Sequence, residues 1–480
     1  MLPFRALALD YDGTLTSGGP PSPEIRAALG AARERGIALV LVTGRILGEL
    51  REVFPDATAC FDLLVGENGA VLEANGRSHR LAAPVPVELD VALVARGVPF
   101  RRGEVILATS GDQDALLLAE LRRHGLDCQL VRNRGELMVL PAGISKGSGL
   151  RHGLAQLGIS PHGAIGVGDA ENDIALLEAC EIGVAVGDAV ESLKARADVV
   201  LADPASEGVL ALLRGPLLRG ELRVEPRRWQ VRLGSRSDGS EVCIPASQGD
   251  LLIAGGSRSG KSFAAGLVAE QLVEMGYAVC VIDPEGDHGP LGRLPQVVTL
   301  GGVGTPPDPE DVAQVVFQGI NSVVLDLSLA EPEARSRYAQ RVLPVLEGVR
   351  AERGIPHWIV VDEAHASVGL APESLDLSRK GHCLVTYRPG DLPAQVIAEM
   401  DFVLLLAGEG GIDAEVAAEV GVGVSLGAKQ LASALREHAT EEMGIGEGIL
   451  IRMRPQPVLE RLALSPRWVT HVRHWHKYLR

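Results

Sequence analysis

Six short apolar runs in this chain stop abruptly at glycine or an acid: ALALDYDG from residue 6, IALVLVTG from 37, AIGVGD from 164, LLIAGG from 251, VCVID from 279 and HWIVVDE from 357. Short runs that are apolar at almost every position fit strands covered on both faces, the environment of a parallel sheet. Parallel neighbours need crossover connections, and helical stretches such as 23–35 and 146–158 stand between the runs to supply them. The pattern predicts an α/β chain with two sheets. The first domain takes residues 1–215 and is interrupted at about 83–143 by a small α+β insert, with a strand at 104–110, a helix at 112–126 and a hairpin turning at Arg134-Gly135. Residues 216–228, mixing Pro, Gly and Arg, read as a linker. The second domain spans 229–480 and opens on a hairpin turning at Asp238-Gly239.

Composition narrows the class. Hydrophobic residues make up 46% of the chain, enough for a sizeable core. The formal charge of −16 opposes indiscriminate coating of nucleic acid but leaves room for a local basic channel. Arg452, Arg454, Arg461, Arg467, Arg473, Lys477 and Arg480 make the C-terminal region basic. Cys60, Cys128, Cys180, Cys243, Cys280 and Cys383 form no CxxC pair, which suits free thiols in a reducing compartment. The N-terminus lacks a signal-peptide pattern, and no apolar run approaches the ~20 residues of a membrane span, so a cytoplasmic location is expected. Lysine is scarce, which gives weight to Lys146 and Lys261 where they stand in motifs.

In DYDGT, Asp10 and Asp12 follow the end of a strand. Alternate residues of extended chain face one way, so the pair can offer two carboxylates to a hard cation such as Mg²⁺. A plain strand-end turn would account for Asp-Gly alone. Three further segments favour chemistry. Thr43 and Gly44 end the next strand with a hydroxyl and open N–H groups suited to phosphate oxygens. Lys146 is an isolated cation ahead of a helix. GVGDAENDIALLE ends another buried strand with Asp169, Asn172 and Asp173, of which Asp169 and Asp173 can close the shell of a cation.

In order and chemistry these four segments resemble the motifs of the haloacid dehalogenase (HAD) phosphatase superfamily, over roughly residues 5–210. The insert resembles the C2-type cap of its Cof-like (IIB) branch, which includes sucrose-phosphatase-like and phosphoglycolate-phosphatase-like enzymes. Asp188 departs from that branch, standing where Asn is usual. The resemblance implies a Rossmann-like parallel sheet and Mg²⁺-dependent hydrolysis of a phosphate monoester. It makes Asp10 the nucleophile that forms an aspartyl-phosphate, and Asp12 the general acid and then base. Thr43 and Lys146 would hold the phosphoryl group, with Asp10, Asp12, Asp169 and Asp173 around the metal.

A second constellation lies downstream. GGSRSGKS fits the phosphate-loop spacing G-x-x-x-x-G-K-[ST], with a strand before it and a helix after it. Gly255, Gly256, Ser257, Arg258, Ser259, Gly260, Lys261 and Ser262 are therefore expected to cradle the phosphates of ATP, with Lys261 at the β- and γ-phosphates and Ser262 on Mg²⁺. In HWIVVDEAH, Asp362 is placed to hold that Mg²⁺ through water and Glu363 to polarise an attacking water. With VCVIDPEGDHG and VTYRP, these residues resemble the HerA/FtsK-like (DUF87-type) P-loop ATPases, over roughly 228–480. That resemblance implies a RecA/HerA-like α/β domain, a homo-oligomer that is commonly a hexameric ring, and DNA or protein as the translocated partner. It also implies an arginine finger supplied by a neighbouring subunit, for which Arg335, Arg337, Arg341 and Arg452 are candidates. Tyr387 stands where that family commonly has the Gln that senses the γ-phosphate.

The leading expectation is thus a bifunctional chain, phosphatase and ATPase. The alternatives are a small-molecule phosphatase whose ATPase domain regulates or oligomerises it, a polynucleotide phosphatase/kinase that heals ends, and a scaffold with both sites silent. The adjacent Asp-Glu pair suits water activation better than a kinase.

Overall fold

Each of the six apolar runs forms a strand, and in a computed structural model of the chain these strands are buried almost throughout. The structure describes residues 4–133, 135–302, 305–318, 321–423 and 443–469; Arg134, Arg473, Lys477 and Arg480 lie outside the described residues. The chain divides into two units, Met1–Val224 and Glu225–Arg480. Leu217 and Leu218, read from sequence as linker, are buried in the core of the first unit.

In the first unit the strands are β1 (Ala6–Asp10), β2 (Ala38–Val42), β3 (Leu63–Gly66), β4 (Val71–Ala74), β5 (Arg77–Arg80), β6 (Phe100–Arg102), β7 (Leu107–Ser110), β8 (Cys128–Asn133), β9 (Glu136–Pro141), β10 (Ala164–Gly168), β11 (Ile182–Ala185) and β12 (Val199–Val200). The main sheet runs β12-β11-β10-β1-β2-β3-β4-β5. It is parallel from β12 to β3, and β4 and β5 add antiparallel at one edge. The insert is a separate four-stranded antiparallel sheet, β6-β7-β9-β8, with its own core of Val85, Leu89, Leu93, Leu107, Leu117, Leu137 and Val139. Its first helix, Val87–Ala95, is all but uniformly apolar apart from Glu88 and Asp90, so period alone does not reveal it.

The insert, or cap, is tied to the main sheet by one buried carboxylate. Glu67 lies in the turn after β3 and is fully buried. It accepts hydrogen bonds from the backbone N–H of Glu104 at 2.8 Å, Val105 at 2.8 Å and Ile106 at 3.1 Å, just ahead of β7. The same turn needs Gly69, whose φ is +102° and where any Cβ would run into the carbonyl of Ser145. Replacing Glu67 with Ala strips three amides of their acceptor. We expect a loss of about 2–4 kcal/mol in urea unfolding, with Glu67→Gln less damaging because one acceptor oxygen survives. An unchanged transition in Glu67→Ala would mean that the cap does not depend on this tether.

The second unit contains β13 (Gln230–Ser235), β14 (Glu241–Pro245), β15 (Leu251–Gly255), β16 (Val279–Asp283), β17 (Val297–Gly301), β18 (Ser322–Asp326), β19 (Trp358–Val361), β20 (His382–Thr386), β21 (Phe402–Gly408), β22 (Gly411–Ile412), β23 (Glu447–Arg452) and β24 (Val458–Leu464). Their order is β14-β13-β24-β23-β21-β15-β20-β19-β16-β18-β17, with β22 pairing β21. From β21 to β17 the sheet is parallel; β23, β24, β13 and β14 extend it as antiparallel strands.

Candidate functional site

In the first unit β1 has β10 on one side and β2 on the other, so the connections around it leave in opposite directions. Such a reversal opens a crevice at the carboxyl edge of a parallel sheet. Asp10 ends β1, Thr43 follows β2 and Asp169 follows β10. Lys146 reaches the same place from the first turn of the helix Lys146–Gln156, whose start is fixed by a capping box between Ser145 and Ser148.

Lys146 is buried, and its Nζ lies 2.5 Å from Asp10 Oδ1 and 2.5 Å from Asp173 Oδ1. Burial works against its charge, yet the two carboxylates hold its pKa above the ordinary lysine value. Burial, and then the charge of Asp173, push Asp10 up to about 7 against the pull of Lys146. Asp10, Asp169 and Asp173 bring carboxylate oxygens within 4.8 Å of one another. Three buried acids against one lysine leave negative charge that an oxygen-seeking divalent cation would balance, so the donor set fits Mg²⁺. Asp173 is already committed: its Oδ2 accepts from the amides of Asp169 and Ala170, both at 3.0 Å. It shapes the loop as well as offering charge. Thr14 Oγ1 donates to Asp169 Oδ1 at 3.1 Å.

Asp12 goes elsewhere. Sequence reasoning places it beside Asp10 on one face, but β1 ends at Asp10 and the chain turns through Gly13 at φ +85°, so strand alternation no longer applies. Both Asp12 oxygens are taken by Arg45, Nε to Oδ2 and Nη2 to Oδ1, each at 2.7 Å. Asp12 and Arg45 line a cavity of about 290 Å³ together with Gly44 and Glu49 of the main unit and Arg101, Asn133, Glu136 and Met138 of the cap.

In the second unit the carboxyl ends of β15, β20, β19 and β16 adjoin in that order. They carry the segment Gly255–Ser262, Thr386, Asp362 and Asp283 respectively. Gly260, at φ +92°, caps the helix Lys261–Glu274 in a conformation that glycine favours. Lys261 Nζ donates to the carbonyl of Gly256 at 2.8 Å. A cavity of about 380 Å³ is lined by Ser257, Arg258, Gly260, Lys261, Ser262, Asp362, Glu363 and Tyr387, among others. Ser262 and Asp362 share that lining with the acids Glu285, Asp287 and Glu363, any of which offers oxygen to a divalent cation, and Asp362 also forms a buried three-ligand cluster with Asp283 and His288. Burial opposes the charge of Asp362, but a 3.1 Å hydrogen bond to His288 keeps its carboxyl below the ordinary range. Burial and the neighbouring Asp362 push Glu363 up to about 7. Glu363 is also held at φ +51°, a strained conformation for a residue with a side chain. Arg335 lines an adjoining cavity with Asp362 and Glu363 and is bound to Glu285 at 2.9 Å. Arg337 pairs with Glu333, and Arg452 with Glu460. Tyr387 lies with its ring 5.9 Å from Lys261 Nζ and packs edge-on against His365.

Comparison with known proteins decides the first half. The family of haloacid dehalogenase-like hydrolases matches residues 7–87 and 118–213. A phosphoglycolate phosphatase from Methanothermobacter thermautotrophicus is 30% identical over 225 residues, which are 44% of this chain and 98% of that protein. One from Archaeoglobus fulgidus is 31% identical over 228 residues, 44% of this chain and 96% of that protein. The chain belongs to the haloacid dehalogenase-like hydrolases. The matched family residues all lie in the first unit. The solved structure of a HAD subclass IIB sugar phosphatase covers 44% of this chain and 98% of its own, at 22% identity and a TM-score of 0.38.

Two residues of this hydrolase unit escaped sequence reasoning. Arg45 stands in the VTGR segment, but nothing in the pattern names Asp12 as its partner. Glu67 sits in LLVGENGAVL, where an acid inside an apolar stretch was the available signal. Among the described residues no helix is long and apolar enough to cross a membrane.

Proposed function

We propose that the first unit hydrolyses a phosphate monoester and that the second hydrolyses ATP. The hydrolase family and the buried Asp10–Lys146–Asp173 arrangement support the first reading. Asp10 acts as nucleophile: its carboxylate attacks phosphorus and becomes an aspartyl-phosphate. Lys146 and Thr43 hold the phosphoryl oxygens, and Asp12 hands a proton to the leaving oxygen before activating water for the second step. Asp10, Asp169 and Asp173 would hold a divalent cation, which would supply charge neutralisation at the phosphoryl group. The relatives named phosphoglycolate phosphatase, and the small cavity under the cap, favour a small phosphorylated acid or sugar over a polymer end.

A screen of phosphate esters, including 3′-phosphorylated DNA, with and without ATP, tests this reading. Turnover of 3′-phosphorylated DNA alone would favour end healing instead. Chelation with EDTA should abolish hydrolysis of p-nitrophenyl phosphate, and added Mg²⁺ should restore it. Activity that persists in EDTA would remove the cation from the reaction.

For the second unit, the supporting observation is that the phosphate loop, Asp362 and Glu363 line one cavity at one sheet edge. Gly255–Ser262 would bind the phosphates, Ser262 and Asp362 would hold a divalent cation that neutralises their charge, and Glu363 would orient water. Stimulation of ATP turnover by DNA at low salt separates a translocating ATPase from one that regulates or oligomerises. Turnover indifferent to DNA would count against translocation.

A further inference from the structure

We propose that Arg45 is a positioning residue that exchanges partners during the reaction, holding Asp12 in the free site and the phosphoryl group once a substrate is bound; this rests on the phosphatase reading. The guanidinium now meets Asp12 in a two-pronged geometry, with both contacts at 2.7 Å. A planar fork of this kind fits a phosphoryl group as well as it fits a carboxylate. Arg45 is two residues from Thr43, and its backbone N–H donates to Thr43 Oγ1 at 3.1 Å, so fork and phosphoryl-holding hydroxyl belong to one loop. Neither partner is locked in: the side chains of Arg45 and Asp12 are 29% and 34% exposed and both line the cavity shared by the main sheet and the cap. The guanidinium also rests over the ring of Tyr11 at 5.3 Å, and the Tyr11 hydroxyl is anchored by donating to the carbonyl of Gly19 at 2.6 Å. That ring gives the fork a fixed surface to turn upon.

The chemistry needs the exchange. In the first step Asp10 Oδ forms a bond to phosphorus, and the bond from phosphorus to the leaving oxygen breaks with its electron pair on that oxygen. That oxygen must receive a proton. Both Asp12 oxygens accept from the fork in the free site, so neither can pass one on. A phosphoryl group that draws the fork away opens an Asp12 oxygen, which can then relay a proton from solvent water to the leaving oxygen.

The experiment measures orthophosphate binding to the Mg²⁺-loaded full chain by calorimetry, in wild type, Arg45→Ala and Arg45→Lys. Exchange predicts binding roughly ten- to hundredfold weaker in Arg45→Ala. Arg45→Lys should lose less, since it keeps a charge without the fork, and it serves if Arg45→Ala does not fold. A second arm compares p-nitrophenyl phosphate, whose leaving group needs no proton, with glycerol phosphate, whose leaving group does. Exchange predicts that KM rises for both and that the ratio of their kcat values holds, because Asp12 is free from the outset. Orthophosphate binding unchanged by both substitutions, or a kcat loss confined to glycerol phosphate, would show Arg45 to be a mere brace for Asp12 and overturn the proposal. A wild type that does not bind orthophosphate overturns it as well. The calorimetric arm needs no turnover: an inactive wild type that still binds orthophosphate through Arg45 fails the phosphatase reading alone.

Discussion

Replacing Asp10 with Asn or Ala should cut phosphate release from p-nitrophenyl phosphate by at least roughly 10³-fold, the scale on which loss of a nucleophile is felt. Asp10 is buried beside Lys146 and Asp173, with its pKa pushed up to about 7. Its ionised form is therefore costly in the free site, and removing that charge should leave the fold intact. Thermal unfolding of Asp10→Asn is expected at or above the wild-type temperature at pH 8, where wild-type Asp10 must ionise against burial. The pairing of lost activity with retained stability is the informative result. Phosphate release that survives in Asp10→Ala would move the nucleophile elsewhere. Lost activity with a collapsed unfolding transition would make Asp10 a structural residue.

Lys261→Ala and Glu363→Gln should each lower ATP turnover by roughly 10²-fold or more, but by different routes. Lys261 faces the loop carbonyl of Gly256, so its removal deprives the phosphates of their cation. Binding of a fluorescent ATP analogue should weaken. Glu363 borders the same cavity but follows Asp362, whose Oδ1 accepts the backbone N–H of Glu363 at 2.9 Å. An amide there keeps the shape and loses the base, so Glu363→Gln should still bind nucleotide. ATP turnover unaffected by either change would remove the second reaction. Equal loss of nucleotide affinity in both variants would deny Glu363 its separate role.

What could be read in advance follows from how local each signal is. Strands buried on both faces announce themselves as unbroken apolar runs, and both parallel sheets are built on such runs. Motif residues that end those strands, such as Asp10, Thr43 and Asp169, were placed by the strand ends alone. The cap was harder. Its helix Val87–Ala95 combines an apolar run with three exposed valines, Val87, Val91 and Val94, so no polar face marks its period. Partnerships between distant residues were out of reach altogether. Arg45 and Asp12 are 33 residues apart, and Glu67 meets amides 37 to 39 residues away. No spacing rule links such pairs until the sheet brings them together. Asp12 shows the opposite failure: a sound rule for extended chain was carried two residues past the end of the strand.

The three amides gathered by Glu67 bear on the walls of the first site. A carboxylate buried among backbone N–H groups has nowhere cheap to go, so the cap strand that follows those amides is pinned to the main sheet from a point outside the cavity that Asp12 and Arg45 line.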